Sequence, residues 1–384
     1  MKRFKFFRKT AVLFLALLLC LFSASCAKAP PEAVERIPYT VIGTPTAEVY
    51  PDGDTARAPW DMILYKGRLY LGHGDFDKNA GPISVYSYDP KSGSFTESPK
   101  LPEEEFNRFL LLDGKPCLPG IDPKEDWTLG NYYTLAGGDW IKHRTLPGGI
   151  HTFDLVEFEG EIFAGLGVTS GSYPVVRSSD GGDSFGEVVF EKEGAPLDTA
   201  AKPLVRTYDL FVFEDTLYAT LSLGDAKPDY ELYRYDADAE RFLFAQSLND
   251  TLARIKFNRQ RITAKAAYRG EMLFVTGRLY ATGDMQAFRE IKLRGVDLVC
   301  DLYEDRGDVY LLTATRANDA AGAFKTSVWQ AFWVEGETVF YEIFNLYYDL
   351  PPLSLAVSGN DFYIGMSDTT AKNELNGTVL QVEY

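Results

Sequence analysis

Seven times between residues 61 and 363, the chain repeats one pattern of apolar and polar positions. Each copy has an apolar strand, a two-residue polar turn and a second apolar and aromatic strand, as in residues 62–70 (MILYKGRLY) and 155–163 (LVEFEGEIF). The second turn residues are Gly67, Gly114, Gly160, Asp215, Gly270, Gly307 and Asn360, between 37 and 55 residues apart. Such spacing is typical of propeller blades. The pattern therefore predicts an all-β fold, a β-propeller of seven four-stranded blades.

The residues within each repeat favour the same fold. Gly, Asp and Asn tolerate the positive φ angles of tight hairpins, and Val, Ile, Leu, Phe and Tyr dominate the flanking strands. The last repeat has only three strands, so we expect residues 39–43 or 48–50 to supply the fourth and close the ring. Residues 248–261 carry a helical pattern and are expected to form a helical insertion.

The first 25 residues have the pattern of a secretory signal. A basic start is followed by an apolar run of twelve residues, 11–22. A membrane-spanning helix needs about 20 apolar residues, so this run is predicted to be the core of a cleaved signal peptide.

The segment Ser23-Ala24-Ser25-Cys26 resembles the lipobox of bacterial lipoproteins, in which the cysteine is acylated and becomes the mature N-terminus. The resemblance implies a signal peptide over residues 1–25, a lipidated Cys26 with a Pro-rich spacer over residues 26–38, and the propeller over residues 39–384. The protein would then lie in the bacterial cell envelope, outside the cytoplasm and held to a membrane by its lipid. Ordinary cleavage after Ala27 is the alternative.

The charge of the chain limits the class of its partners, and its cysteine content limits the disulfide bonds it can form. The chain has 39 basic and 55 acidic residues, a net charge of −16, which excludes a nucleic-acid partner. Besides Cys20 and Cys26, only Cys117 and Cys300 remain, in apolar strands of distant repeats. We expect these two cysteines to be buried and unpaired, and the propeller to be monomeric.

In a propeller, the loops that enter the inner strands share one face with the loops between second and third strands. The residues at the mouths of the inner strands are Asp61, Arg108, Asp154, Asp209, Ala264, Asp301 and Ser354. The favoured interpretation is that each aspartate binds backbone groups of its own turn. The alternative is a ring of carboxylates, Asp61, Asp154, Asp209 and Asp301, that binds Ca²⁺.

The loops between second and third strands differ most between repeats, and variable loops on a rigid scaffold commonly carry function. Together with the neighbouring mouth residues they supply the candidate ligand-binding set His73, Asp75, Asp77, Arg108, Asp122, Asp126, Trp127, Asn131, His151 and Asp154. Carboxylates beside an exposed Trp suit sugar binding, and paired carboxylates could cleave a glycosidic bond. The alternative is that Asp and Gly fill solvated turns while Trp127 packs against a neighbour.

Residues 178–185 (SSDGGDSF) resemble the Asp-box of sialidase-like propellers, through Ser178, Asp180, Gly182 and Phe185. In that superfamily the box is a structural turn remote from the active face, so the resemblance implies the fold and no catalytic role. Other loops look like segments of secreted bacterial propeller proteins.

These observations favour a membrane-anchored binding propeller that holds a glycan or an envelope protein, and an enzymatic role is less favoured. The alternative is a carbohydrate-active enzyme, a sialidase-like glycoside hydrolase or a polysaccharide lyase. Arg36-Ile37-Pro38 resembles the element with which sialidases open their first blade. However, Arg108 is the only basic mouth residue, and the net negative charge would repel an anionic sugar.

Overall fold

The computed structural model describes residues 36–168, 172–199, 204–224, 230–259 and 261–384. The predicted signal peptide, the predicted lipidation site Cys26 and most of the predicted spacer lie outside these residues. Within them, no helix combines the length and the apolar character needed to cross a bilayer.

Strands dominate the described residues. Strand β1 (Thr40–Gly43) precedes the repeats. The first two repeats contain β2 (Asp61–Tyr65), β3 (Arg68–Gly72), β4 (Tyr86–Asp89), β5 (Ser94–Glu97), β6 (Leu110–Leu112), β7 (Lys115–Pro119), β8 (Leu129–Ala136) and β9 (Asp139–Pro147). The third and fourth contain β10 (Gly149–Phe158), β11 (Glu161–Val168), β12 (Val175–Ser178), β13 (Gly186–Glu187), β14 (Val189–Lys192), β15 (Ala195–Pro196), β16 (Val205–Arg206), β17 (Leu210–Phe213), β18 (Thr216–Leu223), β19 (Glu231–Asp236) and β20 (Arg241–Phe244). The last three contain β21 (Ala264–Tyr268), β22 (Glu271–Val275), β23 (Leu279–Thr282), β24 (Arg289–Ile291), β25 (Leu298–Asp305), β26 (Asp308–Asp319), β27 (Gly322–Val334), β28 (Glu337–Tyr348), β29 (Pro352–Ser358), β30 (Asp361–Met366) and β31 (Thr378–Glu383).

These strands form an all-β propeller in which five blades are separate four-stranded sheets: β2–β5, β6–β9, β21–β24, β25–β28, and β29–β31 with β1. The third and fourth repeats lie together in one eleven-stranded sheet. The prediction of seven separate blades is therefore wrong. The cause is β16, whose two residues pair with β11 on one side and β18 on the other, while β14 adds in parallel to β20.

The ring closes between its N-terminal and C-terminal strands, as the repeat pattern predicted. Strand β1 pairs antiparallel with β31, with Thr40 opposite Gln381. Before β1, the N–H of Ile37 donates to the carbonyl oxygen of Asn345 at 2.9 Å, so this segment also follows the outer strand β28. The alternative closing segment, residues 48–50, forms turn and bend rather than strand.

All seven predicted turns join the first and second strands of their repeats. In six of them both turn residues have positive φ, as in Lys66 (49°) and Gly67 (76°), which is the geometry of a type I′ hairpin. The seventh has positive φ at Gly359 (61°) and not at Asn360. Because I′ turns match the right-handed twist of strands, they hold each inner hairpin in register.

Helix α1 (Gln246–Ile255) and a 3₁₀ turn (Phe257–Arg259) fill the predicted helical insertion, and short 3₁₀ turns also occur at Thr55–Arg57 and Phe76–Lys78. The apolar side of α1 packs with Phe211 and Phe274, between the fourth and fifth repeats. A left-handed Lys256 ends the helix.

Cys117 is buried, Cys300 is half-buried, and both are free thiols.

Close packing between neighbouring repeats gives the first testable prediction. A Cβ atom on Gly72 would lie 2.6 Å from the carbonyl oxygen of Phe106 in the next repeat, whereas one on Gly186 would meet no atom within 4 Å. Replacing Gly72 by Ala should therefore lower the free energy of unfolding by about 1–3 kcal/mol through overpacking. Gly186→Ala is the matched control, and denaturant unfolding measures both. Equal stability of the two variants would contradict this packing.

Candidate functional site

The loops of the first three repeats meet on one face, called the loop face from here on. It carries the loops that enter the inner strands and the loops between second and third strands. Isolated backbone bridges join Gly74 to Glu105, Glu105 to Ile121, and Ile121 to His151. These bridges cross from one repeat to the next, so the loop face is held together by backbone hydrogen bonding as well as by side chains.

Five ring side chains form a continuous row across the loop face, called the aromatic ladder. The ring of Phe76 lies 5.7 Å from that of His151, which stacks on Phe153 at 5.3 Å. Phe153 lies 4.4 Å from Tyr208, and Tyr208 lies 5.8 Å from Tyr230. Phe76 is 39% exposed, Phe153 is buried and the others are half-buried. The ladder therefore runs from an exposed ring in the first repeat, through the buried Phe153, to a half-buried ring in the fourth.

His151 and Asp122 border the ladder at its rim. The Nε2 atom of His151 lies 3.6 Å from Oδ1 of Asp122. Burial, together with the charges of Arg206 and Arg261, lowers the pKa of His151 to about 4. Burial and the neighbouring Glu104 raise the pKa of Asp122 to about 6. At neutral pH the imidazole is therefore neutral, and this contact is not an ion pair.

Arg261 lies over the middle of the ladder. Its guanidinium carbon is 4.6 Å from the centre of the Tyr208 ring and 5.4 Å from that of Phe153, which are cation–π distances. Its Nε atom is buried without a hydrogen-bond partner. Among the described residues, Arg261 makes no ion pair. Burial, followed by the charge of Arg108, lowers its pKa below the ordinary arginine value.

Beneath the ladder, four charged side chains form an ion cluster. Arg108 donates to Oδ2 of Asp154 and to Oδ1 of Asp209, both at 3.0 Å. The Nζ atom of Lys265 lies 2.5 Å from Asp154 and 3.8 Å from Asp209. Asp154 also accepts from the backbone N–H of Leu210 at 2.9 Å. Burial alone would lower the pKa of Arg108, but the two carboxylates outweigh it and raise that pKa.

The other mouth aspartates bind backbone, as favoured from the sequence, and they also reach the next blade. Asp61 accepts from Met62 N at 2.7 Å and from Phe109 N at 2.6 Å. Asp301 accepts from the N–H of the residue that follows it at 2.8 Å and from Leu355 N at 2.9 Å. Each of these carboxylates therefore joins two neighbouring inner strands.

These contacts do not fit a calcium site. Asp154 and Asp209 already bind the cations of the ion cluster. Burial raises the pKa of Asp61 to about 6, and burial and the charge of Asp61 raise that of Asp301 well above its ordinary value. In the part of the chain that the structure describes, no group of three or more His, Cys, Asp or Glu side chains could hold a metal ion.

His73 lies beneath the loop face as a core residue and not at a ligand surface. It is 2% exposed, and its Nε2 atom lies 2.7 Å from the carbonyl oxygen of Ser84. The rings of Tyr50 and Tyr86 each lie 5.6 Å away. Burial lowers the pKa of His73 to about 4, so the side chain is neutral and serves packing.

Asp75 and Asn131 also have structural partners. Asp75 accepts from Lys78 N at the start of the 3₁₀ turn and from Thr55 Oγ1 at 2.8 Å. Asn131 is buried, and its Nδ2 atom donates to Oε1 of Glu103 at 2.6 Å. These two side chains therefore shape the loops from below and offer little surface to a ligand.

The remaining predicted residues are at the surface of the loop face. Asp77 is exposed, Asp126 binds Arg144 at 2.7 Å, and Trp127 is 55% exposed. More than half of the Trp127 side chain is therefore open to solvent. It presents an apolar ring beside a carboxylate that is already held in place.

Residues 103–105, three consecutive glutamates, lie buried at the centre of the first-to-second repeat connection and were missed from the sequence. Glu103 accepts from Asn131, and burial raises its pKa to about 7. Glu105 accepts from Phe76 N at 3.3 Å, and burial raises its pKa to about 7. The sequence did contain a signal for these glutamates, because residues 103–105 lie in a loop that enters an inner strand, and such loops belong to this face.

The opposite face holds the tight hairpins and a cavity of about 610 Å³. Ile63, Leu110, Tyr303 and Val357 of different inner strands line it, together with Lys265. Since Lys265 also contacts Asp154, the ion cluster separates this cavity from the loop face.

The Asp-box segment forms a turn between β12 and β13, on the hairpin face. The N–H of Gly182 donates to Ser178 Oγ at 2.8 Å, and the N–H of Ser184 donates to Asp180 Oδ1 at 3.0 Å. The hydrogen bond from Ser178 contributes most to lowering the pKa of Asp180. Phe185 packs against the core of the third repeat. The contacts are those of a structural turn.

Arg36 lies away from the inner-strand mouths. Its guanidinium carbon is 5.4 Å from the ring centre of Tyr347, on the outer strand β28. In this position it does not take part in the ladder or the ion cluster.

Comparisons with known proteins support the fold alone. No family model matches the chain, and no curated protein matches it. A chain in the crystal structure of the mitotic checkpoint complex is similar, with a TM-score of 0.51 and 10% identity over 87% of this chain and 90% of that one. The structure of U3-55K has a TM-score of 0.50 and 11% identity over 85% and 95%. At such identities the likeness shows a β-propeller and nothing of the activity.

The ion cluster predicts a large loss of stability when Arg108 is removed. Arg108→Met leaves two buried carboxylates with Lys265 as their only cation, which should lower the free energy of unfolding by about 3–5 kcal/mol. Arg306→Met, at a side chain 77% exposed, is the control and should change stability little. Denaturant unfolding compares the two. A loss below about 1 kcal/mol for Arg108→Met would contradict the cluster.

The buried His73 predicts a dependence of stability on pH. Its folded pKa of about 4 lies below the ordinary 6.5, so the unfolded chain binds a proton that the folded chain excludes. Its contribution to stability is complete above pH 6.5 and is lost as the pH falls toward 4. Between pH 7 and pH 4, His73→Gln should therefore lose about 3 kcal/mol less stability than the natural protein. Urea unfolding at both pH values measures this, and parallel losses would contradict it.

Proposed function

We propose that this protein is a membrane-anchored, extracytoplasmic binding propeller that holds a carbohydrate or an envelope protein on its loop face. The aromatic ladder, with Arg261 above it and Asp122 at its rim, is the observation that carries the proposal. The lipid anchor at Cys26 is part of the proposal through the sequence pattern alone.

The composition of this surface favours a carbohydrate. Sugar rings combine apolar C–H faces with hydroxyl groups, so they bind where aromatic rings lie beside a few fixed polar groups. The ladder offers rings 4.4–5.8 Å apart, and the carboxylate of Asp122 offers an acceptor for hydroxyl groups. The spacing allows contact with more than one sugar unit.

The ladder is held in place before a ligand arrives. Phe153 and Tyr208 directly precede Asp154 and Asp209, which are fixed by the ion cluster. The N–H of Phe76 donates to Glu105 at 3.3 Å. A surface ordered in this way loses little conformational freedom on binding, and this increases affinity.

A partner protein is the second ligand class in the proposal, and the exposed apolar residues support it less. Docking surfaces for proteins usually contain contiguous apolar patches of several hundred Å². On the loop face, the exposed Phe76 and Trp127 stand directly beside the carboxylates of Asp77 and Asp126 in the chain. This mixture of isolated rings and charges suits a glycan better.

The position of the N-terminal segment is compatible with the anchor. Ile37 is bound to Asn345 on the outer strand β28, and Arg36 lies over Tyr347. Residues 36 and 37 thus lie along an outer strand and not at the inner-strand mouths. An anchor at Cys26 is compatible with this position.

A carbohydrate-active enzyme is the alternative, and one observation favours it. The carboxyl groups of Asp122 and Glu105 have pKa values raised by burial to about 6 and about 7, a range suited to general acid catalysis. However, Glu105 is buried beneath the backbone bridges of the loop face. We therefore place binding ahead of hydrolysis.

A glycan array with the full-length protein tests the function. We expect Phe76→Ala to weaken binding of the best glycan about tenfold, because one exposed stacking ring is lost. Trp333→Ala is the control, since Trp333 is 37% exposed on β27 of the sixth repeat. Both variants should keep the melting temperature of the natural protein.

Two outcomes would decide against the proposal. Binding of no glycan, or equal binding by the Phe76 and Trp333 variants, would remove the ladder as a carbohydrate site. Release of reducing ends from a bound glycan, abolished by Glu105→Gln, would replace binding with hydrolysis.

A further inference from the structure

Arg261 differs from the other cations of the loop face in its partners. Arg108 and Lys265 bind Asp154 and Asp209, and Arg144 binds Glu125 and Asp126. Among the residues that the structure describes, the guanidinium of Arg261 has ring faces at cation–π distance and no ion pair, and its Nε atom is buried without a hydrogen-bond partner. The rings stabilise part of its charge. They do not accept hydrogen bonds from its N–H groups as strongly as a carboxylate does.

Charges of both signs surround Arg261. After burial, the charge of Arg108 lowers the pKa of Arg261, whereas the charge of Asp209 raises it. Asp209 is already engaged by Arg108 in the ion cluster, as is Asp154. Burial raises the pKa of Glu105 to about 7, so this carboxyl group carries only part of its charge near neutral pH, whereas Asp122, with a pKa of about 6, is mostly ionised.

The net charge of −16 does not by itself decide what binds at this site. At physiological ionic strength, exposed charges are screened over about 8 Å, so distant surface carboxylates contribute little to binding here. A half-buried guanidinium on an aromatic floor is screened less. The planar fork of arginine also matches the two oxygens of a carboxylate or phosphate group.

We propose that the ligand of the aromatic ladder carries a carboxylate or phosphate group, and that this anion binds Arg261 while the attached sugar stacks on the rings. The inference rests on the proposed function and adds the ligand's charge to it. Arg261 then determines specificity for acidic over neutral glycans.

The test uses three oligosaccharides of one backbone that end in glucose, glucuronate or glucose 6-phosphate. We expect the full-length protein to bind at least one acidic form about tenfold more tightly than the neutral form, by isothermal titration calorimetry. The comparison of glucuronate with glucose 6-phosphate distinguishes carboxylate from phosphate. Raising the salt concentration should reduce the preference.

Variants separate the role of Arg261 from general charge. Arg261→Gln should remove the preference and keep binding of the neutral sugar within about twofold. Arg261→Lys keeps the charge without the planar fork and should retain only part of the preference. Arg278→Gln, which removes the charge of a 64% exposed side chain before β23, should leave the preference intact.

The outcomes distinguish this inference from the proposed function. Equal or tighter binding of the neutral sugar, or a preference that survives Arg261→Gln, would overturn the anion site and leave the carbohydrate site standing. If none of the sugars binds, the proposed function fails. Titration of inorganic phosphate then decides the anion site: a rise in melting temperature that Arg261→Gln abolishes supports it, and no rise overturns it.

Discussion

Two carboxylates and two cations at the mouths of the inner strands position the rest of the loop face. Burying such charges is costly unless every one is paired, and here Arg108 spans Asp154 and Asp209 while Lys265 contacts both. The backbone N–H of Leu210 supplies a further donor. This arrangement ties the second, third, fourth and fifth repeats together at the axis. Two rings of the ladder, Phe153 and Tyr208, directly precede the two aspartates in sequence, so the cluster also fixes the middle of the surface above it.

Much of the architecture follows from local chemistry that a sequence displays directly. Gly67 and its counterparts in the other repeats indicate the hairpins. The last repeat has three strands, β29–β31, and β1 supplies the fourth. Other features carry no such signal. In six of the turns the first turn residue also has a positive φ. It is a Lys, Asp, Glu or Arg, and its identity does not indicate this conformation. Strand β16 has two residues, too few for any alternation, yet it merges two repeats into one sheet.

The candidate site was predictable in location and less so in detail. Topology alone indicates that the loops near His73, Trp127 and His151 share a face, because alternate strands run in opposite directions. Topology does not indicate how deeply a side chain is buried, and in the structure His73 lies in the core whereas Trp127 is exposed. Arg261 escaped notice because it lies three residues before a mouth position and its partners are rings from other repeats.

The closure of the ring has a mechanical consequence. Strand β1 is four residues long and binds the sheet through β31 alone, whereas the third and fourth repeats share eleven strands. Tension applied to the polypeptide before residue 36 acts first on the hydrogen bond of Ile37 and then on β1, the strand that closes the ring. Partial opening under load should therefore start at this junction, with the merged sheet persisting longest.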